Sequence, residues 1–309
     1  MVTGYTGRMK LHHTLAFTLF FIAHYDVMAV TCADFSLKLP NTSQKLCQAA
    51  QLQDSKARSV KGQPLYTRDV LPPDSAGDET GAATGTRAGA TKDEKARGAK
   101  TKDAGLQRVL VVGGIHGDEL SSSALALHWI ALAEQIPART HWRFIPALNP
   151  DGLLVSPARR TNANGVDLNR NFPTPRWSTE APAYWEKRTR KDPRRWPGHT
   201  PLSEPESRFL HAQMQEFKPH LIVSIHAPYG VLDFDGPTTP PKMLGRLYLD
   251  QVGIFPGSLG NYGGVHLGMP VVTIELPSAF RTPLPAEMRQ MWLDLLRWKS
   301  ERLGEKPSN

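Results

Sequence analysis

The sequence predicts an α/β fold built on a mostly parallel sheet covered by helices. Three observations carry this. Val109–Val112, Leu221–His226 and Val271–Leu276 are short apolar runs, and such runs read as strands buried on both faces. Between and after them, residues 120–136, 203–217 and 285–302 show apolar residues at helical spacing. Strand and helix patterns that alternate in this way place helices over a parallel sheet.

Taken in order, the chain opens with Arg8 and Lys10 ahead of the apolar run Thr14 to Ala23. That run has the length of a signal-peptide core and is too short to span a bilayer. Val27-Met28-Ala29 offers a cleavage site and Thr31-Cys32-Ala33 a second, with Met1 or Met9 as the start. Residues 1–29 therefore read as a signal peptide, which predicts export to the periplasm and no stable membrane span after cleavage. The only cysteines are Cys32 and Cys47. In an oxidising compartment such a pair would close a small loop. Neither lies near the motifs below, so no thiol nucleophile or cysteine-type zinc site is available.

Residues 30–71 form an N-terminal segment and an opening hairpin, with Arg58 to Leu65 reading as strand, Lys-Gly turn and strand. Pro72-Pro73 stops it. From Ser75 to Gly105 there is no Leu, Ile, Val, Phe, Tyr or Trp. Such a stretch cannot bury enough apolar surface to offset the entropy of ordering, so residues 72–105 are expected to be a disordered insertion. Residues 106–303 make up the main domain. The net charge of +8 raises nucleic acid as a partner. An exported protein rarely meets nucleic acid and an anionic substrate accounts for the charge equally well, so no nucleic-acid partner is expected.

The chemistry begins at Val109 to Glu119, V-L-V-V-G-G-I-H-G-D-E. Gly113 and Gly114 turn the chain at the strand end, and His116 and Glu119 follow just before the helical run. A His and a Glu so placed can close on one Zn²⁺, with a third protein ligand and an open fourth position needed for catalysis. His226, at the end of L-I-V-S-I-H, supplies the third. A lone H-x-x-E occurs by chance in many solvated helices; the strand-terminal histidine downstream makes the signal specific. Asp118 would serve as helix N-cap or as a partner of a metal ligand. His128, His211 and His220 read as structural, and His199 as a loop residue without a motif.

Beyond the helix, His141 to Leu148 reads as a strand and Asn149-Pro150-Asp151-Gly152 as a turn. Arg159 to Phe172 carries the charges a substrate would need, and Arg176 to Arg195 reads as one basic, Trp-containing loop that shapes the mouth of a cleft. Ser203-Glu204-Pro205-Glu206 reads as a capping box starting a helix that runs to about Phe217. Tyr229 to Pro241 reads as a loop. Glu275 stands inside a strand among Val, Ile and Leu, where a carboxylate is costly unless it has a partner or a function.

Five motifs now stand in order: H-G-D-E at 116–119, N-P-D-G at 149–152, G-V-D-L-N-R-N-F at 165–172, S-I-H at 224–226 and T-I-E-L-P at 273–277. Together they resemble the zinc metallocarboxypeptidase family. T-N-A-N-G-V-D-L-N-R-N-F-P (161–173), S-E-P-E (203–206) and P-G-S-L-G (256–260) are similar to its murein peptide amidase branch. The likeness runs from about Arg58 to about Trp298, broken by the insertion. It implies a mixed sheet of about eight strands with helices on both faces, and a zinc peptidase catalytic domain over residues 106–303. It implies one Zn²⁺ on His116, Glu119 and His226, with Glu275 as general base and Arg160 steadying the oxyanion. Arg159 is a rival for that last role.

Asn169 and Arg170 match the pair that grips a substrate's terminal carboxylate, a task suited to the planar fork of arginine. Where many carboxypeptidases place a mobile tyrosine, this chain offers Phe255. The implied reaction is zinc-dependent hydrolysis of a cell-wall peptide amide, γ-D-glutamyl–meso-diaminopimelate, in peptidoglycan stem peptides or muropeptides. The familiar amidases of this branch act in the cytoplasm, so the leader is a departure. A broader metallocarboxypeptidase or a deacylase of the succinylglutamate desuccinylase type shares the triad. A cell-wall-binding protein with a silent site is the non-enzymatic alternative, against which the intact set of ligands, base and arginines speaks.

Overall fold

The computed structural model describes Met1, residues 31–73 and residues 105–303. The expected leader beyond Met1 and residues 74–104 of the expected insertion lie outside the described residues. Two short helices, α1 (Cys32–Lys38) and α2 (Gln44–Ala49), come first. Thr31 and Asp34 cap α1 reciprocally and Ser43 caps α2. Cys32 and Cys47 are joined as a disulfide across 15 residues, with Cα atoms 5.4 Å apart. A loop of that length contributes about 3 kcal/mol in the chain-entropy account.

A hairpin of β1 (Gln53–Arg58) and β2 (Pro64–Val70) follows, its strands reaching well beyond the Arg58–Leu65 stretch read from sequence. There follow β3 (Gln107–Val112), α3 (Leu120–Gln135), β4 (Thr140–Ile145), α4 (Pro150–Leu154), α5 (Trp177–Lys187) and α6 (Pro205–Phe217). The chain continues with β5 (Leu221–His226), β6 (Val231–Asp235), the two-residue strands β7 (Met243–Leu244) and β8 (Leu247–Tyr248), β9 (Val271–Glu275) and α7 (Pro285–Leu303).

Seven strands pair in the order β1-β2-β4-β3-β5-β9-β6, with β7-β8 as a separate ribbon. Among the described residues the mixed sheet predicted at about eight strands has seven, and its parallel character is confined to the centre. Strands β4, β3, β5 and β9 run parallel, while β1, β2 and β6 join antiparallel at the flanks. The central strands are buried on both faces, which is why they read as continuous apolar runs. Side chains on one face pack under α3 and α7, where Trp129, Trp142 and Trp292 meet with centroids 5.2 and 4.5 Å apart. Those on the other face pack under α6 and the π-helical turn Gly260–His266.

Four local expectations are corrected. Residues 176–195 are not one loop: α5 occupies 177–187 despite its charges and an internal Pro182, and a 3₁₀ turn follows at Pro193–Arg195. Residues 229–241 are not all loop, because β6 adds to the sheet edge. The Asn149–Gly152 turn is the start of α4, with Asn149 accepting from the Gly152 N–H at 2.9 Å. No capping box starts α6, whose N-cap Glu204 makes no side-chain cap bond. Glu206 instead accepts from the Val60 N–H at 3.0 Å and the Asn162 amide at 3.0 Å, tying the hairpin turn to the loop that carries Arg160.

A salt bridge links the hairpin to the sheet, where Arg143 on β4 donates two hydrogen bonds of 2.8 Å to Asp69 on β2. Burial alone would raise the Asp69 carboxyl, but Arg143 and His141 outweigh it and pull it down to about 2. A depressed acid contributes stability above its ordinary pKa and loses it as pH falls through the folded value. Asp69→Asn is therefore expected to lower Tm at pH 7, with the gap to wild type closing between pH 4 and about pH 2. Thermal scans across that range check it; a constant gap would assign the loss to packing instead.

Candidate metal centre and cleft

Strand β3 ends at Val112, and the next residues turn the chain so that His116 and Glu119 project beside the end of β5. Gly114 adopts φ +60 there, and a Cβ on it would strike the Ser123 side chain. Parallel pairing of β3 with β5 puts Val112 level with Ser224, two residues before His226. Parallel pairing of β5 with β9 then sets His226 directly opposite Glu275. Two strand ends and one strand-to-helix turn thus deliver four functional side chains to one place, outside the carboxyl ends of the parallel strands, where open α/β sheets bind ligands.

His116, Glu119 and His226 form the one group of three or more among the described residues whose His, Cys, Asp or Glu donor atoms all lie within 4.8 Å of one another, and all three are buried. His116 Nδ1 is 2.8 Å from Glu119 Oε1 and 3.2 Å from His226 Nδ1, and His226 Nδ1 is 3.0 Å from Glu119 Oε2. On its other side, His116 Nε2 lies 3.0 Å from Asp167 Oδ1. A carboxylate only accepts, so a neutral ring that donates its Nε2–H to Asp167 turns its Nδ1 lone pair toward Glu119. Lone pairs converging without a proton between them are what a cation would satisfy, and an N₂O donor set suits zinc. The residues present fit that metal.

Burial and Arg160 push the His116 imidazole down, but Glu119 and Asp167 outweigh them and raise it. Burial raises the Glu119 carboxyl, but the two histidines overcome this and hold it well below the usual range. Asp167 is fully buried and is likewise held far down, by Arg160 and His116 against the cost of burial. Arg160 Nε donates to Asp167 Oδ2 at 3.0 Å, and its Nη1 lies 3.4 Å from Glu119 Oε1. Arg160 lines the cleft, whereas Arg159 is exposed outside it. Asp118 neither caps α3 nor meets a histidine; it pairs with Arg194 at 2.8 Å. The metal-ligand partner looked for at Asp118 is Asp167, which stands two residues before Asn169 inside a quoted motif. Such carboxylates orient ligand imidazoles, and losing one typically costs 10–100-fold in metal affinity. Asp167→Asn is expected to fall in roughly that range when zinc is titrated against a competing chelator. Wild-type affinity would show that His116 needs no such support.

The cleft beside this group encloses about 370 Å³. Glu275 lines it, and burial pushes its carboxyl up. Its Oε2 is buried and has no hydrogen-bond partner among the described residues. Across from it, the Asn169 Oδ1 accepts from the Leu259 N–H at 2.8 Å. Arg170 is buried, its carbonyl held by the Trp177 indole at 2.8 Å, and its guanidinium lies 4.4 Å from the centre of the Phe255 ring. Its Nε is likewise without a partner. Phe255 thus stacks on the arginine where a tyrosine was the family pattern. Arg194 and Arg195 reach the rim from the segment expected to shape the mouth. The structure brings together all seven residues singled out from sequence. It adds Asp167, and it adds Asp233 and Asp235, which were hidden in a segment read as loop.

The chain matches the zinc carboxypeptidase family over residues 54–234 and belongs to it. It is accordingly a metallopeptidase-type hydrolase. That span includes His116, Glu119, Arg160, Asn169, Arg170 and His226 and stops short of Glu275. The chain is 31% identical over 196 residues to murein peptide amidase A of Escherichia coli (strain K12), covering 61% of this chain and 79% of that one. It is 31% identical over 188 residues to murein peptide amidase A of Vibrio campbellii, covering 55% of this chain and 69% of that one. Among solved structures, carboxypeptidase A from Helicoverpa armigera superposes with a TM-score of 0.57 at 16% identity, covering 82% of this chain and 69% of that one, which shows the shared fold.

Proposed function

We propose that this protein hydrolyses an amide in cell-wall peptides, the γ-D-glutamyl–meso-diaminopimelate bond of peptidoglycan stem peptides or muropeptides. The observation that carries the proposal is the convergence of the His116–Glu119–His226 group with Glu275, Arg160, Asn169 and Arg170 on one cleft. The identity to murein peptide amidase A over most of that protein's length supports the choice of bond.

In this reading His116, Glu119 and His226 hold one zinc ion. Bound there, zinc supplies a Lewis acid that makes water and a carbonyl reactive near neutral pH. Glu275 takes the proton of the attacking water and hands it to the leaving amine. Arg160, anchored on Asp167, keeps a positive charge near the carbonyl oxygen as negative charge develops on it. Arg170 and Asn169 hold the terminal carboxylate of the leaving residue; Trp177 fixes the Arg170 backbone carbonyl, and Phe255 lies against the guanidinium.

Export is part of the proposal: the leader directs the chain to the periplasm, and the Cys32–Cys47 disulfide suits an oxidising compartment. Fusing residues 1–50 to a reporter active only outside the cytoplasm tests the address, and a silent reporter refutes it. The reaction is tested by comparing kcat/KM on a γ-D-glutamyl-diaminopimelate peptide, ordinary C-terminal peptides and N-acyl amino acids. The γ-linked peptide is expected to lead. Preference for ordinary peptides would make this a broader carboxypeptidase, preference for N-acyl amino acids a deacylase. Binding without turnover of any of them would favour a silent cell-wall-binding protein.

A further inference from the structure

Arg160, Arg170, Arg194 and Arg195 line the cleft, and the mechanism uses the first two, one beside the carbonyl and one on the terminal carboxylate. Arg194 and Arg195 remain without a role. They belong to the 3₁₀ turn Pro193–Arg195, which is tied down at both ends. At one end the Trp185 indole on α5 donates to the Asp192 carbonyl at 2.7 Å, and Asp192 Oδ1 accepts from the Arg194 N–H at 2.9 Å. At the other, the Trp196 carbonyl accepts from the N–H of Asp167, the residue behind His116, at 2.8 Å.

The two side chains serve different parts of the cleft. Arg194 Nη2 donates to Asp118 Oδ2 at 2.8 Å. Asp118 stands between the candidate ligands His116 and Glu119 in the chain, and its charge is felt by Arg160. Arg195 pairs with Asp192 at 3.5 Å, and its charge is felt by Arg170 instead. Arg194 therefore sits by the carbonyl end of the scissile amide and Arg195 by the leaving residue. Stability does not account for the Arg194–Asp118 pair: the arginine side chain is 59% exposed, and ion pairs so open to water contribute little. Arginine has five N–H donors, so a guanidinium anchored through Nη2 still has donors to offer a ligand.

A γ-linked glutamyl amide matches this layout. Its bond uses the side-chain carboxyl, so the α-carboxylate of the acyl residue stays free and anionic groups flank the amide on both sides. We infer that Arg194, held in place by Asp118, is a specificity residue that recognises the free α-carboxylate of a γ-linked acyl residue. This rests on the γ-D-glutamyl reading above and gives it a residue that tells γ- from α-linkage. A charge at the rim acts largely on encounter and is screened by salt, so the preference belongs in kcat/KM and shrinks as salt rises.

The test compares three peptides at pH 8 and low salt. They are L-alanyl-γ-D-glutamyl-meso-diaminopimelate, the same peptide with that α-carboxylate amidated, and the α-linked L-alanyl-D-alanyl-meso-diaminopimelate. The wild-type enzyme is expected to favour the free acid over its amide by roughly fivefold or more in kcat/KM, with the ratio falling at high salt. In Arg194→Gln the ratio is expected to fall toward one, in Arg194→Lys to recover in part, and in Arg195→Gln to persist. Equal wild-type rates on acid and amide would overturn the inference and leave the γ-glutamyl reading standing, as would a ratio that survives Arg194→Gln. Faster cleavage of the α-linked peptide than of both γ-linked ones would refute that reading, and this inference with it. Arg194 is exposed, so its replacement should not disturb folding. Were it to do so, Asp118→Asn, which releases the guanidinium from its anchor, is expected to lower the ratio instead, and an unchanged ratio there would overturn the inference.

Discussion

Glu275→Gln is expected to lower kcat by roughly 100-fold or more, the usual scale for loss of a general acid–base group, with zinc content and peptide binding retained. The amide keeps the shape of the side chain in its slot on β9, opposite His226, but cannot take a proton. The native carboxylate leaves Oε2 without a partner among the described residues, so no hydrogen bond of the fold depends on that atom. Stability should therefore change little, and a defect confined to kcat would separate proton transfer from binding. Turnover within a few-fold of wild type would remove Glu275 from the proposed mechanism.

His116→Ala and His226→Ala are expected to lose bound zinc and, with it, activity. Each histidine offers Nδ1 to the shared position and carries a partner behind it, Asp167 for His116 and Ser224 for His226, at 3.0 Å in both cases. Removing His116 also leaves the buried Asp167 with Arg160 as its remaining cationic partner, so a lower Tm is expected for that variant. Removing one member of a buried charged pair typically destabilises by about 3–5 kcal/mol, which sets an upper scale for that loss. Metal analysis after dialysis, read beside activity and Tm, checks both variants. Full zinc occupancy with full activity in either would refute the ligand assignment.

Much of this was legible in the chain because its centre obeys a simple pattern. Val109–Val112 and Leu221–Ile225 are apolar on both faces, and a residue that breaks such a run at its end, such as His226, is conspicuous. Glu275 stood out for the same reason. The flanks were harder. β6 places Asp233 and Asp235 toward the cleft and lies next to glycine and proline, so composition alone resembled a loop; only pairing with β9 makes it a strand. α5 combines many charges with Pro182, and its helicity rests on tertiary packing that local propensity does not display. Asp167 sat inside a motif without any local sign distinguishing a carboxylate that orients His116 from a solvated one. Its partner lies 51 residues away in the chain, and that contact appears only once the loop carrying Arg160 is folded over the candidate metal group.

The central claim, that this cleft hydrolyses the γ-D-glutamyl–diaminopimelate amide when it holds zinc, is tested most directly by mass spectrometry of one digest. The tripeptide L-alanyl-γ-D-glutamyl-meso-diaminopimelate is incubated with purified enzyme stripped of metal, and again after one equivalent of zinc is restored. Free diaminopimelate and the L-alanyl-D-glutamate dipeptide should appear only in the zinc-restored sample, and should be absent when Glu275→Gln replaces the wild type over the same interval. Equal release by the stripped enzyme, or an intact tripeptide in the presence of zinc, would contradict the account.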